Sequence, residues 1–114
     1  MQKLANRKCM ACSKDHSLIK PSEYPKFLEE LDHWSIKKGK INKLAKVFIF
    51  HDYSSTTSFA NGIIKIAEQE DHHPKIILEW GKVGVYWWTH KIKGLHINDF
   101  ICAARVDRLF KLFS

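Results

Sequence analysis

The sequence predicts an α+β fold, in which a four-stranded antiparallel sheet carries three helices packed on one face. Apolar residues recur at helical spacing in three segments and favour strands in four others. These segments follow one another in the order α-β-β-α-β-β-α with short links, which favours antiparallel pairing. Because no repeat or low-complexity linker interrupts them, we expect residues 1–114 to form a single domain, with 1–20 as a loosely structured N-terminal arm.

The first helix and the first two strands are predicted between residues 22 and 50. In "SEYPKFLEELDHW" Ser22 is a candidate cap and Pro25 falls near the first turn, and apolar residues follow at helical spacing. "SIKKGKINKLAKVFIF" then predicts two antiparallel strands joined by a tight turn at Gly39. The second of these strands is the stronger, because "VFIF" favours extended structure.

The second helix is predicted from the change of period in "DYSSTTSFANGIIKIAEQEDHH". Ser54 or Ser55 can start it. Pro74 disfavours helical geometry at the preceding residue, so the helix should end at or just before His72 and His73.

The third and fourth strands are predicted in "KIILEW" and "KVGVYWWTH", with a turn at Gly81. Alternation along the fourth strand sends two sets of side chains to opposite faces of the sheet: Val83, Val85, Trp87 and Thr89 on one, and Gly84, Tyr86, Trp88 and His90 on the other. Both faces carry large aromatics. The face without helices is therefore expected to be a ligand pocket or a subunit contact. "INDFICAARVDRLFKLF" closes the chain as the third helix.

Charge and composition narrow the classes of partner. The chain has 19 Lys and Arg against 12 Asp and Glu, a formal net charge of +7. The basic residues are scattered and match no common nucleic-acid-binding fingerprint, so we do not expect nucleic-acid binding. No apolar run approaches the roughly 20 residues of a membrane span, and the N-terminus lacks the apolar segment of a secretory signal. We therefore expect a cytoplasmic protein without membrane contact.

The cysteines leave two interpretations open. Cys9 and Cys12 form a C-x-x-C motif followed by His16, which suits half of a zinc site or a redox pair. The third cysteine, Cys102, falls in the predicted last helix.

The histidines suggest proton transfer. Glu68 stands four residues before His72, on the same face if the helix continues, and His90 ends the fourth strand. Imidazoles titrate near neutral pH, so general acid/base chemistry fits the group best. A zinc ion held by three imidazoles and a polar turn without function are the alternatives.

These residues also match a family pattern. The spacing E-x3-H-H-P-x5-W-x9-H-x8-D runs from Glu68 to Asp99, with "TH" at 89–90 and "GL" at 94–95. It resembles that of the pterin-4a-carbinolamine dehydratases, also called 4a-hydroxytetrahydrobiopterin dehydratases. "CMAC", "FLEELDHW" and the closing helix resemble bacterial members, so the resemblance covers about the whole chain.

The resemblance implies an activity. It implies the same fold, homodimers or homotetramers, and loss of water from the 4a-hydroxytetrahydropterin that aromatic amino acid hydroxylases release. The product is a quinonoid dihydropterin in tetrahydrobiopterin recycling. An aromatic amino acid hydroxylase is thereby implied as a partner, and no metal or organic cofactor is.

The resemblance also implies the site. His72, His73 and His90 would be catalytic; we assign proton transfer to His72 and His90 and pterin orientation to His73. Five further residues are expected to bind substrate: Glu68, Trp34, Asp71, Thr89 and Asp99. Glu68 is expected to tune His72.

Some assignments have structural alternatives. Trp34 is equally well explained as a core tryptophan, and Trp80 is expected to fill the core. Asp99 is expected mainly to favour the start of the last helix. His96 stands where members often have Ser or Thr, which predicts a weaker cap.

Overall fold

The sheet and its helices are arranged as the sequence predicts. The computed structural model of the chain describes residues 3–9 and 18–113. Its helices are α1 (Tyr24–Leu28), α2 (Tyr53–Glu70) and α3 (Ile97–Phe110), and its strands are β1 (Ser35–Lys37), β2 (Lys43–Ile49), β3 (Lys75–Glu79) and β4 (Lys82–Trp87). The strands pair antiparallel in the order β1-β2-β4-β3. The predicted α+β fold and element order are confirmed.

One face of the sheet forms the core. Phe48 of β2 lies opposite Val83 of β4, and Leu44 lies opposite Trp87; all four side chains are almost fully buried. The alternate residues form the outer face, where Val47 remains 53% exposed. The alternation predicted for β4 is thus confirmed, since its inward side chains are buried in the core and its outward side chains lie on the face that no helix covers.

The ends of α2 are set by local chemistry. Asp52, and not Ser54 or Ser55, caps its first turn: the Asp52 carboxylate accepts a hydrogen bond from the Ser55 backbone N–H at 2.6 Å. The helix ends at Glu70, and Asp71 takes a left-handed conformation with φ 50°. Pro74 follows three residues beyond the cap at Asp71, as expected for a chain that must leave the helix.

The first helix is shorter than the sequence suggests. Pro21–Glu23 form a 3-10 turn, and α1 itself covers only five residues. Phe27 of α1 packs against Phe100 of α3 with ring centroids 5.2 Å apart. Tertiary packing against α3 therefore holds a helix that is too short to be stable alone.

The N-terminal segment 3–9 contacts the helices. Leu4 is 1% exposed, and its backbone N–H donates to the Glu30 carboxylate at 3.0 Å. Cys12 and His16 lie outside the described residues, and the prediction for the arm over 1–20 stays a prediction. Within 3–9 and 18–113, no helix combines the length and apolar character of a membrane span.

Candidate active site

His72 lies in a contact between three elements. It follows the left-handed turn after α2, and its Nε2 is 2.5 Å from Oδ1 of Asp99 in α3. Its ring stacks on Trp87 of β4, with centroids 5.4 Å apart and planes 12° from parallel. The side chain is only 11% exposed. An imidazole in this position is held in one orientation.

Asp99 holds His72 from a fully buried position. Its other oxygen, Oδ2, accepts hydrogen bonds from the Thr89 hydroxyl at 2.8 Å and the His96 backbone N–H at 2.9 Å. A buried carboxylate needs such donors, because burying an unpaired charge is very costly. The expected place of Asp99 in the first turn of the last helix is confirmed.

His96 provides the cap of α3. Its Nδ1 accepts the Asn98 backbone N–H at 3.1 Å, while its own backbone N–H donates to Asp99. The imidazole and the carboxylate thus form a capping box in place of the usual hydroxyl. The helix start that the sequence marks as weak is satisfied, and the same contacts fix Asp99.

The contact with Asp99 distinguishes the two ring nitrogens of His72. A carboxylate in its ionised form only accepts hydrogen bonds, so in that form Asp99 assigns the ring hydrogen to Nε2 of His72. Nδ1 is the ring nitrogen that Asp99 does not contact. Beneath the ring, the buried Trp87 Nε1–H has no hydrogen-bond partner among the described residues.

Glu68 contacts the other histidine of the pair. Its carboxylate is 3.9 Å from Nε2 of His73, and both side chains are mostly exposed. The expectation that Glu68 shares a face with His72 and tunes it is wrong, because the helix ends at Glu70 and the left-handed turn at Asp71 turns the chain away. The carboxylate beside His72 is Asp99. Asp71 itself is exposed.

His90 lies at the same end of β4 but on the other side. It is exposed, and its ring centroid is 4.6 Å from that of Trp88. His72 and His90 therefore rest against adjacent tryptophans whose side chains point to opposite faces of the sheet. Within the described part of the chain, no ring contact or hydrogen bond joins two of the three imidazoles, and no group of three His, Cys, Asp or Glu could hold a metal ion.

Trp34 is part of the core. It is 7% exposed, and its Nε1–H donates to Asp107 Oδ1 at 2.8 Å, beside the Lys46 ammonium group. Asp107 is eight residues beyond Asp99 in α3, or about 12 Å along the helix axis. The core alternative thus describes the contacts of Trp34, and substrate binding by this residue stays a prediction.

Trp80 is not in the core. It is 66% exposed in the two-residue turn between β3 and β4, so its predicted packing role is wrong. Gly81 has φ 73° there, and a Cβ would be 3.1 Å from the Phe50 carbonyl oxygen. The turn directs the Trp80 side chain into solvent. The residue pattern of β3, which precedes the turn, does not predict this orientation.

Cavity volume does not identify the site. A cavity of about 630 Å³ lies between the N-terminal segment and α3, with Leu4, Glu30 and Asp107 in its lining and none of the predicted site residues. The contact between the half-buried His72 and the buried Asp99 is the better marker, because an imidazole held by a carboxylate is an arrangement suited to proton transfer.

The contact between His72 and Asp99 is the part that sequence reasoning missed. Both residues were singled out, but they are 27 positions apart, and the sequence pattern does not join them. The sequence likewise places Trp87 on one of the two faces of β4 without a link to His72. The one sequence feature that links His72 and Asp99 is the family pattern from Glu68 to Asp99, which contains both residues.

Comparisons with known proteins give a consistent result. A family model described as "Pterin 4 alpha carbinolamine dehydratase" matches residues 17–109. A Vibrio vulnificus protein named "Putative pterin-4-alpha-carbinolamine dehydratase" is 46% identical over 105 residues, covering 91% of this chain and 96% of that protein. A Saccharophagus degradans protein of the same name is 42% identical over 112 residues, covering 97% and 99%.

Two solved structures share the fold. A transcriptional coactivator/pterin dehydratase from Brucella melitensis superposes with a TM-score of 0.76 at 27% identity, covering 82% of this chain and 98% of that one. A pterin dehydratase-like protein described as a RuBisCO assembly factor in the alpha-carboxysome has a TM-score of 0.60 at 23% identity, covering 70% and 92%. The second likeness concerns the fold alone.

Proposed function

The chain belongs to the pterin 4 alpha carbinolamine dehydratase family, and from this premise we propose that it removes water from a 4a-hydroxytetrahydropterin. The observation that carries the proposal is the contact of the half-buried His72 with the fully buried Asp99. A scaffold does not need an imidazole fixed by a carboxylate with its second nitrogen left for exchange.

The reaction needs two proton transfers. The bond between C4a and its hydroxyl oxygen breaks, and the oxygen leaves as water when an acid protonates it. The proton on N5 is lost to a base, and the C4a–N5 double bond of the quinonoid dihydropterin forms. Imidazoles can perform both transfers near neutral pH, because neither protonation state is rare there.

We assign these transfers to His72 and His90, with His73 orienting the pterin. Because His72 and His90 lie on opposite sides of the same end of β4, the proposal requires the pterin to bind across that end of the strand. His72 is supported by its fixed ring and by Asp99. His90 and His73 are exposed and can meet a substrate from solvent. The division of roles is tested by single replacements, which would each leave turnover unchanged if it were mistaken.

Asp99 and Thr89 act as positioning residues in this proposal. The Thr89 hydroxyl donates to Asp99, and Asp99 in turn orients His72. Glu68 and Asp71 remain candidate substrate-binding residues at the exposed rim beside His73. The buried Trp87 Nε1–H is a further donor available to water or a bound molecule below the imidazole.

The direct experiment is to follow the decay of freshly generated 4a-hydroxytetrahydropterin by ultraviolet absorbance. We expect the protein to accelerate the decay over buffer, and the His51→Ala variant, which removes an exposed histidine elsewhere, to match wild type. Decay at the buffer rate with folded protein would overturn the proposal.

The proposed setting is recycling of tetrahydrobiopterin in the cytoplasm, with an aromatic amino acid hydroxylase as the source of substrate. We also propose that the chain forms a homodimer or homotetramer, since its outer sheet face leaves Val47, Ile49 and Ile77 largely exposed. No metal or organic cofactor is part of the proposed reaction.

A second candidate is a non-enzymatic module that binds a protein or nucleic acid. The same exposed apolar face and the net charge of +7 favour it. Salt-sensitive retardation of DNA by a protein that does not accelerate dehydration would favour this candidate.

A further inference from the structure

The N-terminal segment brings a second chemical group, a pair of thiols, together at the start of α3. The Sγ atoms of Cys9 and Cys102 are 3.5 Å apart, although the residues are 93 positions apart along the chain. Both are free thiols, Cys102 fully buried in α3 and Cys9 half-buried. The proposed dehydration uses neither of them.

The surroundings of Cys9 hold this contact in place. Its backbone N–H donates to the Glu70 carboxylate at 2.9 Å, and its thiol lies 3.8 Å from the Asn98 carbonyl oxygen. Arg105 reinforces the segment, because its guanidinium donates to the Arg7 carbonyl oxygen at 2.7 Å and lies 3.4 Å from Glu70. The two sulfurs thus meet within a set of longer-range contacts that fix the segment on α2 and α3.

We propose that Cys9 and Cys102 form a reversible disulfide when the protein meets hydrogen peroxide, and that this bond clamps residues 3–9 onto α3. A disulfide has its sulfur atoms about 2.05 Å apart, so closure requires an approach of about 1.5 Å. The half-buried Cys9 can shift by that amount more readily than a residue inside α3.

The two thiols have different roles in the oxidation. The pKa of the Cys102 thiol is raised by its hydrogen bond to Cys9 and by burial, so Cys102 remains protonated at neutral pH. Cys9 is the accessible member of the pair, and its thiolate attacks peroxide. The O–O bond breaks, Cys9 becomes a sulfenic acid, and hydroxide takes up a proton to leave as water.

The second step closes the bridge. Cys102 sulfur attacks Sγ of Cys9 and loses its proton, and the sulfenic oxygen leaves as a second water. In total two thiols are oxidised by two electrons and one peroxide is reduced to two waters. The bond then joins the N-terminal segment, which Glu70 at the end of α2 already holds, to the turn of α3 that follows Asp99.

Peptide mapping of the full chain tests the assignment. Reduced protein is treated with a small excess of hydrogen peroxide, its free thiols are alkylated, and the protein is digested without reductant for mass spectrometry. We expect a linked pair of peptides containing Cys9 and Cys102, two hydrogens lighter than the free pair, with Cys12 alkylated. Dithiothreitol should separate them.

Variants separate this bond from the competing C-x-x-C pair. Cys12→Ser should still form the link, whereas Cys9→Ser, which changes a half-buried site, should not. Peroxide should raise the midpoint of thermal unfolding of wild type and Cys12→Ser by about 5 °C or more, because the bond closes a long loop. It should leave Cys9→Ser and Cys102→Ala unchanged.

The proposal would be overturned by a disulfide between Cys9 and Cys12, by alkylation of all three thiols after peroxide, or by loss of the link in Cys12→Ser. Stoichiometric zinc binding that requires Cys9 and Cys102 would do so as well, because the metal would then be what the two sulfurs hold.

Discussion

At the scale of single residues, the account depends on why a carboxylate is buried at Asp99. The side chain is fully buried and accepts bonds from His72, Thr89 and the His96 backbone. Burial excludes water from the His72 contact and strengthens it electrostatically. The buried Asp99 carboxylate therefore serves to orient a single imidazole, that of His72.

Replacing Asp99 by Asn should lower kcat by a larger free-energy equivalent than it lowers the free energy of unfolding. The amide can accept a hydrogen bond but does not carry the charge that fixes the His72 tautomer. Hydrogen bonds to charged groups are worth about 1.5–3 kcal/mol, so we expect kcat to fall by roughly 10- to 100-fold. The kcat–pH profile should also change, which a purely structural role would not produce.

Asp107 provides the matched control for this variant. It lies in the same helix and binds Lys46 and Trp34, far from His72. Asp107→Asn should cost about 1–3 kcal/mol of unfolding free energy, because it removes the carboxylate charge that pairs with the half-buried Lys46 ammonium. It should leave kcat of the folded fraction unchanged. Equal kcat values for the two variants would contradict the positioning role of Asp99.

The position of Trp34 can be tested by Trp34→Phe. This change removes only the indole N–H donated to Asp107 and part of the ring. We expect a loss of about 1 kcal/mol in unfolding free energy, measured by urea denaturation, with KM within twofold of wild type. A KM raised tenfold or more at unchanged stability would instead favour the substrate-binding role.

At the scale of elements, the sequence is most informative where backbone chemistry is local. The end of α2 follows from Pro74, and the turn at Gly81 follows from its position between two strands. The contact between His72 and Asp99 and the exposure of Trp80 could not be predicted this way. Both depend on how distant elements pack, for which residue order holds no local signal.

The cap of α2 gives a pH-dependent prediction. The backbone N–H of Ser55 lowers the pKa of Asp52 below its ordinary value of 3.8, so the folded state favours the ionised carboxylate. The stabilisation is therefore present above pH 3.8 and is lost as pH falls through the lowered pKa.

Asp52→Ala should accordingly melt a few degrees below wild type at pH 7. The gap between the two melting curves should shrink as the pH is lowered below 3.8. Circular dichroism melts across pH 2–7 measure it, and a gap that is constant with pH would show that the charge does not contribute.

At the scale of the whole molecule, the two faces of the sheet differ in what they leave open. Helices cover the face that contains Phe48 and Trp87, while the outer face presents Val47, Ile49 and Ile77 to solvent. The alternation of side chains along β4 predicts that the two faces differ in burial. It does not decide whether the outer face is a ligand pocket or a subunit contact. The exposed apolar residues favour a second copy bound at this face, and their burial must outweigh the repulsion between two chains that each carry a net charge of +7.

Ile49→Lys should shift the proposed oligomer towards a single 13.4 kDa chain, because a lysine there would be buried without a partner in the interface. Multi-angle light scattering measures the mass. Leu112→Lys is the control, since Leu112 is 81% exposed near the C-terminus. Loss of assembly in the control alone would move the contact away from the sheet.

The most direct measurement is the kcat/KM for 4a-hydroxytetrahydropterin dehydration by chelator-treated His72→Ala beside His51→Ala. We predict a loss of about 10²- to 10⁴-fold for His72→Ala, the usual contribution of a positioned acid or base, and wild-type values for His51→Ala. Wild-type kcat/KM in folded His72→Ala would contradict proton transfer by this imidazole.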